Sequence, residues 1–411
     1  VRRLLLLAAA VAALWLAPGA LAAGWCGSGE TSVDRADAIT GPQVHAIWAV
    51  PADGPDTFAT GAGRLADDLA SLTSWWAGQD PTRVPRVDDA VFPGGTCADI
   101  SFVRLPLPAN AYTNADTAFA QVAYELGISG FGNAYKKYLV YYDGPSVQQD
   151  VCGTGAGDFA TGPSYAIVWL AGCPTVPSDS VAAHELLHAL GALPNGAPHA
   201  CPGDPGHPCD SPQDVLYPYT SGAPLSQLVL DVGHDDYYAH AGSWIDIQDS
   251  AWLHLLTAPV FPVELTIAGA GSVSSDLPGL TCAASCATRW DGGSKIVLTP
   301  LSTRASRFVG WSGPCARRPE CALTVAAATS VTATFGPLRV PVSLRAAGRG
   351  SVRCSPACGT SFAAGNRLVL TAVPAKGWRF AGWAGDCAGR GVVCRPRTDF
   401  HVTARATFRR R

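Results

Sequence analysis

The segment FVGWSGPC at 308–315 returns as FAGWAGDC at 380–387, 72 residues later. Cys282, Cys286 and Cys315 return at the same shift as Cys354, Cys358 and Cys387, and KIVLTP matches RLVLTA. Self-similarity at a fixed period marks a repeated structural unit. Each copy closes on a run of alternating apolar and polar residues, SVTATF and HVTARATF, which is the pattern of a half-buried strand. Two small all-β modules are therefore expected, at 264–336 and 343–411. Pro259-Val260-Phe261-Pro262 makes 259–263 a linker by composition, and 337–342 is a second one between the modules.

The Gly-Ser-Val start, the Gly-Trp turn and the V-x-A-x-F close of each module resemble the divergent bacterial surface repeats of internalin-type proteins. The resemblance implies a β-rich extracellular spacer or adhesive unit, without catalysis of its own.

The chain is 411 residues long, more than one ordinary domain. Its net charge of −3 hides a segregation. Residues 24–258 carry 7 Lys/Arg against 26 Asp/Glu, which is −19, while 342–411 carry 13 against 2, which is +11. Opposite charges on the two parts point to separate domains with different partners. The basic part suits a polyanion such as an anionic cell-wall polymer or nucleic acid; an Arg-rich solvated surface is the bland alternative. At the N-terminus, Arg2 and Arg3, the apolar run Leu4–Leu16 and Ala20-Leu21-Ala22 read as a secretory signal over 1–23, with no membrane span to follow. The fourteen Cys fit the oxidising, extracellular address that such a signal implies.

Residues 24–258 read as one α/β unit. QVHAIWAV, ADISFVRL, KYLVYYDG and SYAIVWLAG are strand-like runs. TFATGAGRLADDLASLTSWW has Leu65, Leu69 and Leu72 on one helical stripe. NADTAFAQVAYELG is a second helix, with Asn114 as cap and Gly127 as stop. A third helix starts near Ser178 or Asp179 and ends near Gly191. Alternating strands and helices suggest a twisted mixed sheet with a cleft along one edge.

That third helix carries His184, Glu185 and His188 in HExxH spacing. Helical residues four apart share a face, so both imidazoles can reach one Zn²⁺ while Glu185 sits beside a metal-activated water as general base. The bland alternative is a chance match on a core helix. With Gly191 added, the motif is HExxHxxG, and the region resembles the zincin metallopeptidases, closest to the metzincins. The resemblance implies a zincin-like catalytic domain, one catalytic zinc and a protein or peptide substrate. It also puts a Met-turn at Asp214-Val215-Leu216-Tyr217, with Leu216 in place of Met. Tyr217 and Tyr219 become candidates for steadying the oxyanion.

The third ligand is the open question. Metzincins place it three residues past the Gly, where this chain has Pro194, which offers no donor. GALPNGAPH, 191–199, reads as an expanded turn that delivers His199; His207 and Asp210 are the alternatives, and Cys201–Cys209 could hold the loop of His207 near the metal. LDVGHDDYYAH, 230–240, gathers Asp231, His234, Asp235, Asp236 and His240, either as a Ca²⁺ or substrate-side group or, as favoured here, a solvated acidic turn. His45, His254 and His401 are isolated and carry no chemistry. The remaining cysteines are expected to pair as Cys26–Cys97, Cys152–Cys173, Cys282–Cys286, Cys315–Cys321, Cys354–Cys358 and Cys387–Cys394, with crossed pairing inside a module left open. The sequence thus points to a secreted zinc endopeptidase. A surface-binding protein on a zincin scaffold and a zinc amidase of cell-wall peptides are the competing readings.

Overall fold

A computed structural model describes residues 24–411 except 28–30, 146–149, 158, 160–161, 194–195, 220–221 and 278–279. The signal expected at 1–23, and Pro194, lie outside the described residues. Among the described residues the chain is mostly β, with three α-helices, and no helix is long and apolar enough to cross a membrane.

The N-terminal unit is built on a five-stranded sheet of β1 (Gln43–Val50), β2 (Ile100–Arg104), β3 (Lys136–Tyr142), β4 (Gly153–Ala156) and β5 (Ser164–Trp169). Their order is β2-β1-β3-β5-β4; all pairs are parallel except β5 with β4, which is antiparallel and forms one edge. Parallel strands buried on both faces read as continuous apolar runs, and β1 and β3 are buried at every position. Alternate residues face opposite layers. Trp48, Leu139, Tyr141, Ala166 and Val168 pack with α1 (Phe58–Gln79) and α3 (Ser178–Ala189). Ile47, Val140, Tyr142, Ile167 and Trp169 pack with α2 (Ala115–Ile128) on the other side. Asn114 caps α2 by accepting from the Asp116 amide, but Gly127 does not stop it; the helix runs one residue further.

His45 is not isolated. It is fully buried, with Nδ1 2.7 Å from Asp88 Oδ2 and Nε2 3.0 Å from Ser101 Oγ. The order Ser-His-Asp is that of a charge relay, but all three groups are fully buried and Ser101 donates to the Val33 carbonyl, so no substrate reaches it. The cluster is a buried ion network: Lys136 Nζ lies 2.7 Å from Asp34 and 2.8 Å from Asp37 and also contacts Asp88, while Arg35 pairs with Asp99.

The two C-terminal modules are each two facing sheets, of four and four strands in the first and four and three in the second, and the four-stranded sheet that holds the first and last strands has the same topology in both. In the first, Val260–Ala268 lies between Cys286–Asp291 and Thr329–Pro337. In the second, Arg339–Ala347 lies between Ser361–Ala363 and Val402–Arg410. The supposed linkers 259–263 and 337–342 are therefore mostly strand. Proline misled the composition argument because Pro262 and Pro341 sit where their strand is paired on one side only, before the second neighbour joins at Val263 and Val342. There a missing N–H costs no ladder bond. The first module is docked on the α/β unit: Arg86 pairs with Asp291, the Thr40 amide donates to the Arg289 carbonyl, and Tyr135 donates to the Asp276 carbonyl. All seven disulfides form in the expected pairs, with no crossing inside a module.

Candidate functional site

α3 places His184 and His188 one turn apart, with Glu185 beside the first. Their Nε2 atoms are 3.2 Å apart, and the Nε2 of His207 lies 3.2 Å from each. Three imidazole nitrogens thus form an equilateral triangle. Neutral imidazoles whose Nδ1 carries the proton would meet there lone pair to lone pair, which is repulsive without a cation between them. A tetrahedral zinc with Zn–N of about 2.0–2.1 Å separates its nitrogen ligands by about 3.3 Å. The donor set therefore fits zinc in identity, number and spacing.

His207, not His199, joins the two helical histidines. The chain leaves α3, makes β6 (Ala200–Cys201), reverses at Gly203 (φ +86°) and returns as β7 (Asp204–Pro208). The Cys201–Cys209 disulfide and the Cys209 amide, which donates to the His199 carbonyl, close this hairpin. His199 stands at its foot. Its amide and Nδ1 lie 2.8 and 3.1 Å from the carboxylate of Asp236, and its side chain is 40% exposed. Asp210 groups with His199 and Asp236, away from α3. The returning strand, not the outgoing one, faces the helix, and this decides the third position.

The surroundings orient the three rings. His184 Nδ1 donates to the Val215 carbonyl at 2.7 Å, which fixes the proton on Nδ1 and turns Nε2 inward. Val215 lies in the Asp214–Tyr217 turn, closed by the Tyr217 amide donating to the Asp214 carbonyl. Asp214 holds the turn by accepting from the Leu216 amide, the Val232 amide and the Tyr237 hydroxyl. Leu216, at the position where a Met was absent, is fully buried in the same core as Leu187. Asp204 Oδ1 lies 3.0 Å from His207 Nδ1, off the hydrogen-bond line. Burial and the neighbouring His207 push the His184 pKa down to about 4, and burial with the other two imidazoles holds His188 well below the usual range. Both are ready to donate a lone pair. Burial pushes Glu185 up to about 8, with the Gly155 amide working against it.

β4 was missed by the sequence reading because Gly-Thr-Gly-Ala has no strand propensity. Its glycines fit a physical need. A Cβ on Gly153 would lie 2.4 Å from Glu185 Oε1, one on Gly155 2.4 Å from the Glu185 carbonyl, and one on Gly157 2.3 Å from the Ala189 carbonyl. The period-2 glycines at 153, 155 and 157 are the face on which the strand lies against α3; that alternation was the signal available in the sequence. Gly155→Ala is expected to destabilise the protein by about 1–3 kcal/mol through overpacking. Gly78→Ala, in α1 with nothing near its Cβ, should be neutral or stabilising by up to about 1 kcal/mol. Urea titration of both variants checks the contrast.

β4, the segment 171–176, His184, Glu185, His188, Gly206, His207 and Tyr219 line one cleft of about 950 Å³. Tyr219 is on its rim, 77% exposed, while Tyr217 lines an adjoining hollow with His184 and Asp214. The 230–240 turn is not solvated as expected. Asp231 and Asp236 are fully buried; Asp231 accepts from the amides of Asp236, Tyr237 and Tyr238, and Asp236 anchors His199. Asp231 thus ties down the backbone of the turn, and Asp236 ties it to the amide and ring of His199, which makes the turn a structural anchor. Of the other grouping of potential ligands, Asp34, His45, Asp88 and Asp99, Lys136 and Arg35 already supply the cations.

Residues 263–338 and 340–410 match the family model described as the divergent InlB B-repeat domain. No curated protein matches the chain. Among solved structures, wild-type OgpA from Akkermansia muciniphila overlaps 89% of this chain and 96% of its own at 12% identity, with a TM-score of 0.28. Catalytically inactive OgpA in complex with an O-glycopeptide (glycodrosocin) overlaps 91% and 96% at 11% identity, also with a TM-score of 0.28. The major pilin protein (T-13) of Streptococcus pyogenes overlaps 37% and 97% at 9% identity, with a TM-score of 0.19. Overlap at these TM-scores does not establish a common fold.

Proposed function

We propose that the α/β unit is a zinc-dependent endopeptidase whose metal is held by His184, His188 and His207. The observation that carries this reading is the 3.2 Å triangle of Nε2 atoms opening into a cleft with a buried carboxylate beside it. Zinc bound there supplies Lewis-acid polarisation of a carbonyl and lowers the pKa of water. Glu185 takes the proton from the attacking water and hands it to the leaving amine, and the burial that raises its pKa makes its carboxylate a stronger proton acceptor. Val215 and the Asp214 turn hold the His184 ring. β4 is the terminal strand of the sheet, and its free edge faces the cleft, where an extended peptide can add as a further strand. We assign the steadying of the oxyanion to Tyr219 rather than Tyr217, because Tyr219 lines the cleft itself. Seven disulfides and no free cysteine among the described residues suit an oxidising compartment, and we place the protein outside the cell, with the two modules as spacer or anchor. An intact Glu185 favours hydrolysis over a scaffold that only binds.

The test is incubation of the purified chain with a denatured-protein mixture, with and without chelator, with the cut sites mapped and zinc measured. Cleavage that chelation abolishes and added zinc restores is expected. A zinc-loaded protein that cuts no peptide bond, but releases peptides from cell-wall material, would move the reaction to the amidase reading.

A further inference from the structure

The second module carries a charge that its fold does not require. In its outer sheet Arg345 is the direct cross-strand partner of Arg405, and Arg379 that of Arg409. All four are exposed. Along Val402–Arg410, buried Val402, Ala404, Ala406 and Phe408 alternate with Thr403, Arg405, Thr407 and Arg409, so both arginine pairs lie on the same outward face. Arg405 and Arg409 are four residues apart, about 13 Å along the strand. No ion pair among the described residues involves a Lys or Arg of 342–411. Of the two acids in 342–411, Asp386 is engaged by the amide and hydroxyl of Thr403.

Like charges directly opposite one another destabilise a sheet. The first module is the internal control, because its corresponding sheet has the same topology and register. At the corresponding places it has Thr266 opposite Thr332 and Arg307 opposite Gly336. Its charge over 264–336 is 6 Lys/Arg against 4 Asp/Glu, or +2. The arginine pairs are thus additions to a fold that works without them, at some cost in stability.

We propose that this face binds a linear acidic polysaccharide, each arginine pair gripping one sulfate or carboxylate of the chain. Of the 13 cationic residues in 342–411 all but Lys376 are Arg, whose planar fork binds oxyanions bidentately. Ser343 and Thr403, opposite each other on the same face, keep their hydroxyls on His401 and Asp386, which leaves the arginines as the groups that meet the ligand. Nucleic acid fits less well, since base stacking needs exposed rings. Phe380, Trp383 and Phe408 of this sheet pack into the module core, and Phe400, 84% exposed just before the strand Val402–Arg410, is the single exposed Phe, Tyr or Trp ring among the described residues of the module, too few to stack successive bases.

Titration of the full chain with a heparin-derived oligosaccharide across a salt series tests this. The wild type should bind with an affinity that falls steeply with salt. Replacing Arg345 and Arg405 by Thr, the residues of the first module, should weaken binding by about tenfold at ~0.1 M salt and flatten the salt dependence. Its thermal midpoint should stay or rise, since a repulsive pair is removed. Arg307→Thr in the first module should leave binding unchanged. No binding by the wild type, or equal binding and equal salt slope in the double variant, overturns the proposal. So does oligothymidylate competing as well as the saccharide, which would make the face a reader of nucleic acid backbone.

Discussion

His207→Ala is expected to lose the zinc that the purified protein carries, and with it hydrolysis, by more than about 10²-fold. Losing a residue that only hydrogen-bonds a metal ligand commonly costs about 10–100-fold in metal affinity or activity, and His207 supplies one corner of the nitrogen triangle itself. His199→Ala should keep stoichiometric zinc, because its ring lies against Asp236 at the foot of the hairpin. It should lower stability modestly, by freeing a fully buried carboxylate from one partner. Zinc content after dialysis, measured beside the thermal midpoint of each variant, separates the two. Tight zinc in His207→Ala, together with its loss in His199→Ala, would overturn the assignment of the third ligand.

Glu185→Gln should lower turnover by a factor on the order of 10²–10⁴ while leaving the zinc in place. The amide keeps the shape and the hydrogen-bonding oxygen but cannot take a proton. It also removes a carboxylate that burial has already pushed up to about 8, so folding stability should not fall at neutral or alkaline pH. Near-normal turnover, with zinc retained, would sink the proposed role of Glu185. Zinc loss would instead show that the carboxyl helps to build the triangle.

Much of the architecture was written in local pattern. The β1, β3 and β5 runs announce buried strands because parallel strands covered on both faces need apolar side chains at every position. The disulfides were legible because all but one of the partners are near in sequence, with separations of 4 to 21 residues; Cys26–Cys97 followed by elimination. β4 was not legible by propensity, since its glycines serve the close approach of α3 and not the strand itself. The strand beginnings at Val260 and Arg339 are hidden in the sequence because proline reads as a break, whereas one-sided pairing tolerates it.

The sequence by itself determined the two helical histidines and their glutamate, because the helix repeat alone puts residues four apart on one face. It also determined the doubling of the C-terminal module and the excess of arginine in the second copy. The third imidazole was decided only by tertiary structure. His199 and His207 are on the two arms of one short hairpin, and no local rule says which arm faces α3. The choice falls to the reversal at Gly203, the Cys201–Cys209 clamp and the buried Asp236 that holds His199. The carbonyl that orients His184 comes from Val215, 31 residues away, and the arginine pairs exist only once parallel and antiparallel neighbours are in register. Contacts between segments distant in sequence depend on how the elements pack, and that packing is a property of the whole core.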